Sequence, residues 1–397
     1  MNKTLRFVVS HTDVIVVCLF MLLSFAYVMF GIADGSDLPS HAQGAKNMLE
    51  NNRLFESNFL MYFMVNLLTG FSGNLLLIKV ALVVLIALSN TFKYVLVKNE
   101  FSQWFPLKQA KIASAALLFV FVIPVFYFMK IFGIFLNTNN MCFQYCVPNV
   151  WHNSTILCMM PFAILTFFLS VNQFKNYDKK RNKFIVLFVL LSTLIKPSFF
   201  FIYVIAYPLC MFVRFRFSKE FFHSLVPILI GCFCVLYEFF TIYNGSDDSG
   251  IAIRVLPLFT FGFWKSRILY FSVSMALPLF FVLIYRKEIE KDYEFWFILI
   301  MLVVALGISW CCYETGPRAY HGNFGWQVIA AMWFVYYYMI KIAMKMNHKI
   351  QYKNSGIVET SRESKLILYK LFMVLYSVHV FMGILYLIKY MVTKDMA

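Results

Sequence analysis

The chain has 397 residues, of which 61% are hydrophobic and 14% charged, far from the half-apolar, quarter-charged make-up of water-soluble domains; a soluble fold is excluded. Its formal net charge of +16 would suggest nucleic acid in a soluble protein. Here the basic residues fall in short clusters between apolar stretches, a pattern that orients a membrane protein, so no nucleic acid is expected and membrane lipids are the secondary partner. Apolar stretches of about 20 residues, the length that crosses hydrocarbon at 1.5 Å per residue, recur throughout and predict an all-α polytopic bundle of about 11 membrane helices. Residues 1–397 thus read as a single integral membrane domain.

The first apolar run, 12–32, follows Lys3 and Arg6, is too long for a signal-peptide core and lacks a small-residue cleavage pattern. It reads as a retained helix with a cytoplasmic N-terminus. A first extracytoplasmic loop spans 33–74 and contains a short apolar piece, 58–71, expected to lie along the interface as a helix. A second span, 75–97, ends at Lys98, Lys108 and Lys111; a third, 112–130, leads outward; a fourth, 155–171, returns to Lys175, Lys179, Lys180, Arg181 and Lys183.

The stretch 184–213 is flanked by basic residues on both sides and interrupted by Lys196-Pro197-Ser198. Proline breaks the helical ladder, and Lys196 needs water or a polar partner at membrane depth. These features predict a re-entrant-like hairpin of two short helices; one tilted span with an inverted charge flank is the alternative. Further spans are expected at 224–243, 265–285, 294–311, 327–346 and 366–390, with a polar outer loop at 312–326 and a cytoplasmic connector at 347–365. The C-terminus is then extracytoplasmic. Cysteines are scattered without zinc-type spacing, so no metal site or cofactor is expected. A Cys142–Cys146 disulfide remains open on an oxidising face.

Three polar clusters fall on the expected outer face. In GIADGSDLPSHAQGAKNMLENN, Asp34 and Asp37 sit in a turn, Ser36 or Asp37 can cap a helix entering through Pro39, and His41 follows one turn later. A carboxylate near an apolar surface has raised proton affinity, which suits a general base; an ordinary cap explains the same spacing. In FQYCVPNVWHNSTILC, Trp151, His152 and Asn153 stand at the mouth of the fourth span, where an interfacial Trp and a capping Asn are also ordinary. The third cluster, SWCCYETGPRAYHGNFGWQ, gathers Glu314, Arg318, His321, Asn323 and Trp326 between turn-forming glycines and a proline. Arg318 suits phosphate oxygens and His321 a leaving group or sugar hydroxyl, whereas a Glu314–Arg318 ion pair is the structural alternative. Glu238 adds an acid inside a span, as a site residue or a structural hydrogen bond.

With an acid just after the first span, an interfacial helix and the Ile195-Lys196-Pro197-Ser198 break, the first half of the chain resembles the C-type membrane glycosyltransferases, which use polyprenyl-phosphate-linked sugars. It departs from them in replacing the usual acidic doublet with Asp34-Gly-Ser-Asp37 and in lacking a large outer domain. The resemblance implies a multispan enzyme of the bacterial inner membrane that takes a sugar from a lipid-linked donor to a glycan or lipid acceptor. Asp37, helped by Asp34 and His41, would act on the acceptor hydroxyl. Lys196 and Arg318 would hold the departing phosphate, and Trp151, His152, Asn153, Glu238, Glu314, His321 and Asn323 would line the substrate site. An O-antigen or capsular polysaccharide polymerase is a second enzyme reading, weakened by a late loop with a single arginine. A lipid-linked sugar transporter or flippase is the rival from another class, weakened by the absence of a second broken hairpin.

Overall fold

A computed structural model of the chain describes residues 12–31, 37–51, 59–122, 130–131, 134–135, 153–243, 250–253, 264–316, 323–351 and 359–393. Among these, seven helices are long and apolar enough to cross a membrane, the make-up of a multi-pass integral membrane protein. In chain order the helices are α1 (Thr12–Gly31), α2 (Asp37–Glu50), α3 (Phe59–Leu68), α4 (Leu75–Ser102), α5 (Leu107–Ala116), α6 (Ser154–Lys175) and α7 (Lys179–Ile195). They continue with α8 (Ser198–Phe215), α9 (Lys219–Ser224), α10 (Val226–Tyr243), α11 (Trp264–Ile289), α12 (Tyr293–Cys311), α13 (Trp326–Gln351) and α14 (Glu359–Thr393). Two short antiparallel pairs, β1 (Lys130–Ile131) with β2 (Ile134–Phe135) and β3 (Gly250–Ile253) with β4 (Cys312–Thr315), lie between the helices of what is otherwise the expected all-α bundle.

Side-chain contacts give the helices their directions. Asp13, in the first turn of α1, pairs with Lys98 at 3.3 Å and Lys111 at 3.0 Å, so the start of α1 meets the end of α4. Arg214, near the end of α8, donates to the Phe174 carbonyl near the end of α6 at 3.1 Å. Arg181 closes the same helix end by donating to the carbonyls of Asn172 and Asn176 at 3.0 and 2.6 Å. These contacts collect lysines and arginines at one end of the bundle, called here the basic end.

Helices α7 and α8 therefore both have a terminus at the basic end and meet at the other. The break follows from covalent chemistry: Pro197 has no amide to donate, and it drives Lys196 into extended backbone. With 17 and 18 residues, each limb is about 25 Å long at 1.5 Å per residue, longer than a shallow re-entrant pair needs. The limbs also approach their neighbours closely. A methyl on Gly231 of α10 would come within 2.1 Å of the Phe200 ring of α8, so only glycine admits that ring.

The centre of the bundle is α13. In its most apolar stretch 94% of the residues are buried, against 22% in the stretch through α9 and α10, and a helix apolar on every side belongs in the middle. Aromatic rings seat it. Trp333 stacks on Tyr337 at 5.9 Å, and Tyr337 on Phe101 of α4 at 5.5 Å and 8°. Nearby, Phe167 of α6 stacks on Phe297 of α12 at 5.4 Å.

The segment expected to form a third span stops being helical at Ala116, three residues before the FVFVI run of aromatic and β-branched residues. Its backbone is satisfied from other helices instead. Trp333 Nε1 donates to the Leu117 carbonyl at 3.1 Å, His379 Nδ1 donates to the Phe121 carbonyl at 2.7 Å, and the Phe121 amide donates to the His379 carbonyl at 3.1 Å. Irregular backbone at this depth is tolerated because protein replaces water as its partner.

Two buried amines on this axis contrast sharply. Lys341 of α13 donates to both Glu294 carboxylate oxygens at 3.0 and 2.9 Å, to Glu100 at 3.3 Å and to the Tyr337 hydroxyl at 3.1 Å, joining α13 to α12 and α4. Lys93 of α4 is equally buried, but among the described residues no hydrogen-bond partner reaches its Nζ, which lies 4.9 Å over the Trp333 ring. Lys341→Ala is expected to lower stability by about 3–5 kcal/mol, since it leaves two carboxylates uncompensated. Lys93→Met should act in the opposite direction, raising stability by about 1–3 kcal/mol by removing an unsatisfied buried donor. Thermal melting of the two variants in detergent checks both signs.

Candidate functional site

At the end opposite the basic clusters, the α7–α8 tip meets the start of α13. The Lys196 ammonium lies 5.2 Å over the Trp326 ring, and Lys196 is only 9% exposed. Just inside the tip, Phe201 packs against Phe324 of the 3₁₀ turn Asn323–Gly325 at 6.3 Å. Asn323 donates through Nδ2 to the Glu314 carboxylate at 2.7 Å. Glu314 is buried and held in β4, facing Ile251 in the register with β3. Lys196, Trp326, Asn323 and Glu314 thus form one contiguous patch, and Gln327 ties Phe324 to α13 by donating to its carbonyl.

A second group lies on α2 and α3. His41 on α2 is buried, with Nδ1 2.9 Å from the Tyr62 hydroxyl on α3. Asn66, one turn beyond Tyr62, donates to the Ala45 carbonyl at 2.8 Å. The pattern follows from the sequence, since Leu38, His41, Ala42, Ala45 and Met48 recur at helical spacing and form the buried stripe of α2. Helix α3 in turn packs on α7, the helix that Lys196 caps. Asp37 is the first residue of α2, one turn before His41, and its side chain lies outside what the structure describes.

Asn153 is the N-cap of α6: its side-chain oxygen accepts from the Ile156 amide at 3.1 Å and from the Thr155 hydroxyl. These bonds fit the capping role. Glu238 is half-buried on α10, a helix that packs along α7. Asp34, Trp151, His152, Arg318 and His321, together with the Cys142–Cys146 pairing, lie outside the described residues.

Several groups escaped the sequence reading. Tyr62 and Asn66 looked like interruptions of an apolar helix, although their spacing of four places them on one face. Lys93 was hidden in a span ended by other lysines.

The patch offers a buried cation on an indole face and a carboxylate positioned by an amide, and the α2–α3 pair offers an imidazole positioned by a phenol. Such groups can bind an anion and move or hold a proton. Cys312 beside the patch is a poor nucleophile, because burial, and then the adjacent Cys311, push its thiol up. Among the described residues no three His, Cys, Asp or Glu side chains are placed to share a metal ion. No known protein-family model matches the chain, and no curated protein matches it.

Asn153→Ala is expected to cost about 1 kcal/mol through loss of the cap, and Asn153→Asp to retain most of it. Melting temperatures in detergent distinguish this capping role from a purely ligand-directed one, in which neither change would alter stability.

Proposed function

We propose that the chain is a membrane glycosyltransferase that moves a sugar from a polyprenyl-phosphate-linked donor to a glycan or lipid acceptor at the end of the bundle opposite the basic clusters. The observation that carries the reading is Lys196 at the hairpin tip, seated over Trp326 beside Glu314 and Asn323. A cation held at a helix break beside aromatic and amide groups suits a sugar phosphate, because it meets the phosphate while the ring and amide meet the sugar. The lysine- and arginine-rich end faces the cytoplasm by the positive-inside rule, which sets the site outside, in a bacterial inner membrane.

In this mechanism Asp37 takes the proton of the acceptor hydroxyl, and the acceptor oxygen attacks the anomeric carbon as its bond to the phosphate oxygen breaks. Lys196 and Arg318 hold the charge that builds on the departing polyprenyl phosphate. His41, one turn from Asp37, supports the reacting groups, and Asp34 assists Asp37. A wholly apolar crevice between α11, α12 and α13, lined by Phe281, Phe295, Leu302 and Val335, suits an isoprenoid tail.

A second reading, transport of a lipid-linked sugar, is favoured by one observation: the buried amine of Lys93 within a span. Transfer of labelled sugar in membranes holding matched amounts of wild type or Asp37→Asn tests the two. On the transferase reading the variant loses at least about a hundredfold in transfer while remaining folded. Undiminished transfer by Asp37→Asn would remove Asp37 as the base, and a wild type inert towards every polyprenyl-linked donor would favour transport.

A further inference from the structure

The grip of α3 on α2 points to a role for Tyr62, one that rests on the transferase reading for its substrate but not for its geometry. The His41 Nδ1 and the Tyr62 hydroxyl are 2.9 Å apart, and both side chains are buried. Their rings are tilted at 52° with centroids 5.9 Å apart, so the contact runs through the hydroxyl and is not a stack. Asn66, donating to the Ala45 carbonyl at 2.8 Å, holds the same stretch of α2 one turn along and fixes the register of the two helices. Gly44 lies between these two contacts. A methyl there would come within 2.8 Å of both Cζ and the hydroxyl oxygen of Tyr62, so the ring crosses α2 and reaches His41 only because residue 44 has no side chain.

We infer that Tyr62 is a positioning residue whose hydroxyl donates to His41 Nδ1, holding the neutral ring as its Nε2–H tautomer, so that His41 serves the site as a hydrogen-bond donor to an anionic oxygen and not as a base. The direction follows from the groups themselves: a phenol is a strong neutral donor, and the imidazole lone pair a strong neutral acceptor. Once Nδ1 accepts, the ring proton sits on Nε2, because the bond made by one nitrogen sets the state of the other. Proton removal is then left to the carboxylate one turn earlier, Asp37. His41 presents an N–H to oxygen that bears or gains negative charge, which in the proposed reaction is a phosphate oxygen of the donor.

Histidine-selective ¹⁵N labelling of the full chain in lipid nanodiscs tests the assignment, with the His41 signals identified by their loss in His41→Asn. In wild type, Nε2 is expected to be protonated and Nδ1 not. Tyr62→Phe, which keeps the ring, should lose that preference, and Gly44→Ala should lose it too, because its methyl displaces a hydroxyl that is still present. A wild-type ring protonated on Nδ1, or a ring unchanged in both variants, overturns the inference. In the transfer assay, Tyr62→Phe is expected to lower kcat about tenfold with KM nearly constant, a split that simple loss of folded protein does not give. A wild type with the Nε2–H ring but no transfer would sink the transferase reading and leave the tautomer assignment standing.

Discussion

One buried ammonium governs the arrangement of the bundle. Lys341 projects from the helix with the least exposed surface, where an uncompensated charge would cost several kcal/mol. Helices α4 and α12 must therefore bring Glu100 and Glu294 to the same height. That requirement fixes the register of α13 against α4, and the stack of Tyr337 on Phe101 and the seat of Trp333 beneath Lys93 belong to the same register. A helix is stiff along its axis, so the 15 residues from Lys341 to Trp326 carry the placement about 22 Å to the other end. There Trp326 arrives under the hairpin tip. An interaction at the basic end thus positions the ring on which Lys196 rests.

The two ends use polar groups differently. At the basic end, the ion pairs and the caps made by Arg181 and Arg214 sit on continuous helices and hold them together. At the opposite end, several polar side chains stand where regular helix stops: Lys196 at a helix break, Trp326 at a helix start, Asn323 in a turn, Glu314 in a short strand and Asn153 at a cap. Groups on breaks and turns present their side chains towards one another without disturbing the spans below. Rigid elements thereby position a site carried on their ends.

The crossing helices were legible because hydrophobic length is a strong signal: 75–97, 155–171, 294–311 and 327–346 all fall within long helices. Pro197 announced its break through its missing amide. The opened backbone after Ala116 was not legible, since a run of apolar residues reads as a helix whether or not Trp333 and His379 reach across to satisfy it. Those partners are 216 and 258 residues away in sequence, beyond any local pattern. The pairing of β3 with β4 and the meeting of His41 with Tyr62 have the same character. Each joins segments that carry no mutual signal until the helices between them have packed. His41 was legible as a polar residue on a short helix, while the phenol that defines its chemistry lay inside an apolar stretch.

Lys93 bears on what kind of machine this bundle is. Its amine stands over the face of Trp333, whose Nε1 satisfies the Leu117 carbonyl, so one indole serves both the buried amine and the opened backbone. Neither contact can shift without the other. For Lys93 to act as a transport site, water would have to reach it from each side in turn, which means α4 separating from α13. The Lys341–Glu100 pair and the stacked Tyr337 and Phe101 rings bind those two helices in one register, and separating them would strip Glu100 of its ammonium and leave Lys341 with one of its two carboxylates. A bundle locked along its axis, with its adjustable groups gathered on breaks at one end, suits chemistry at that end better than alternating exposure at two.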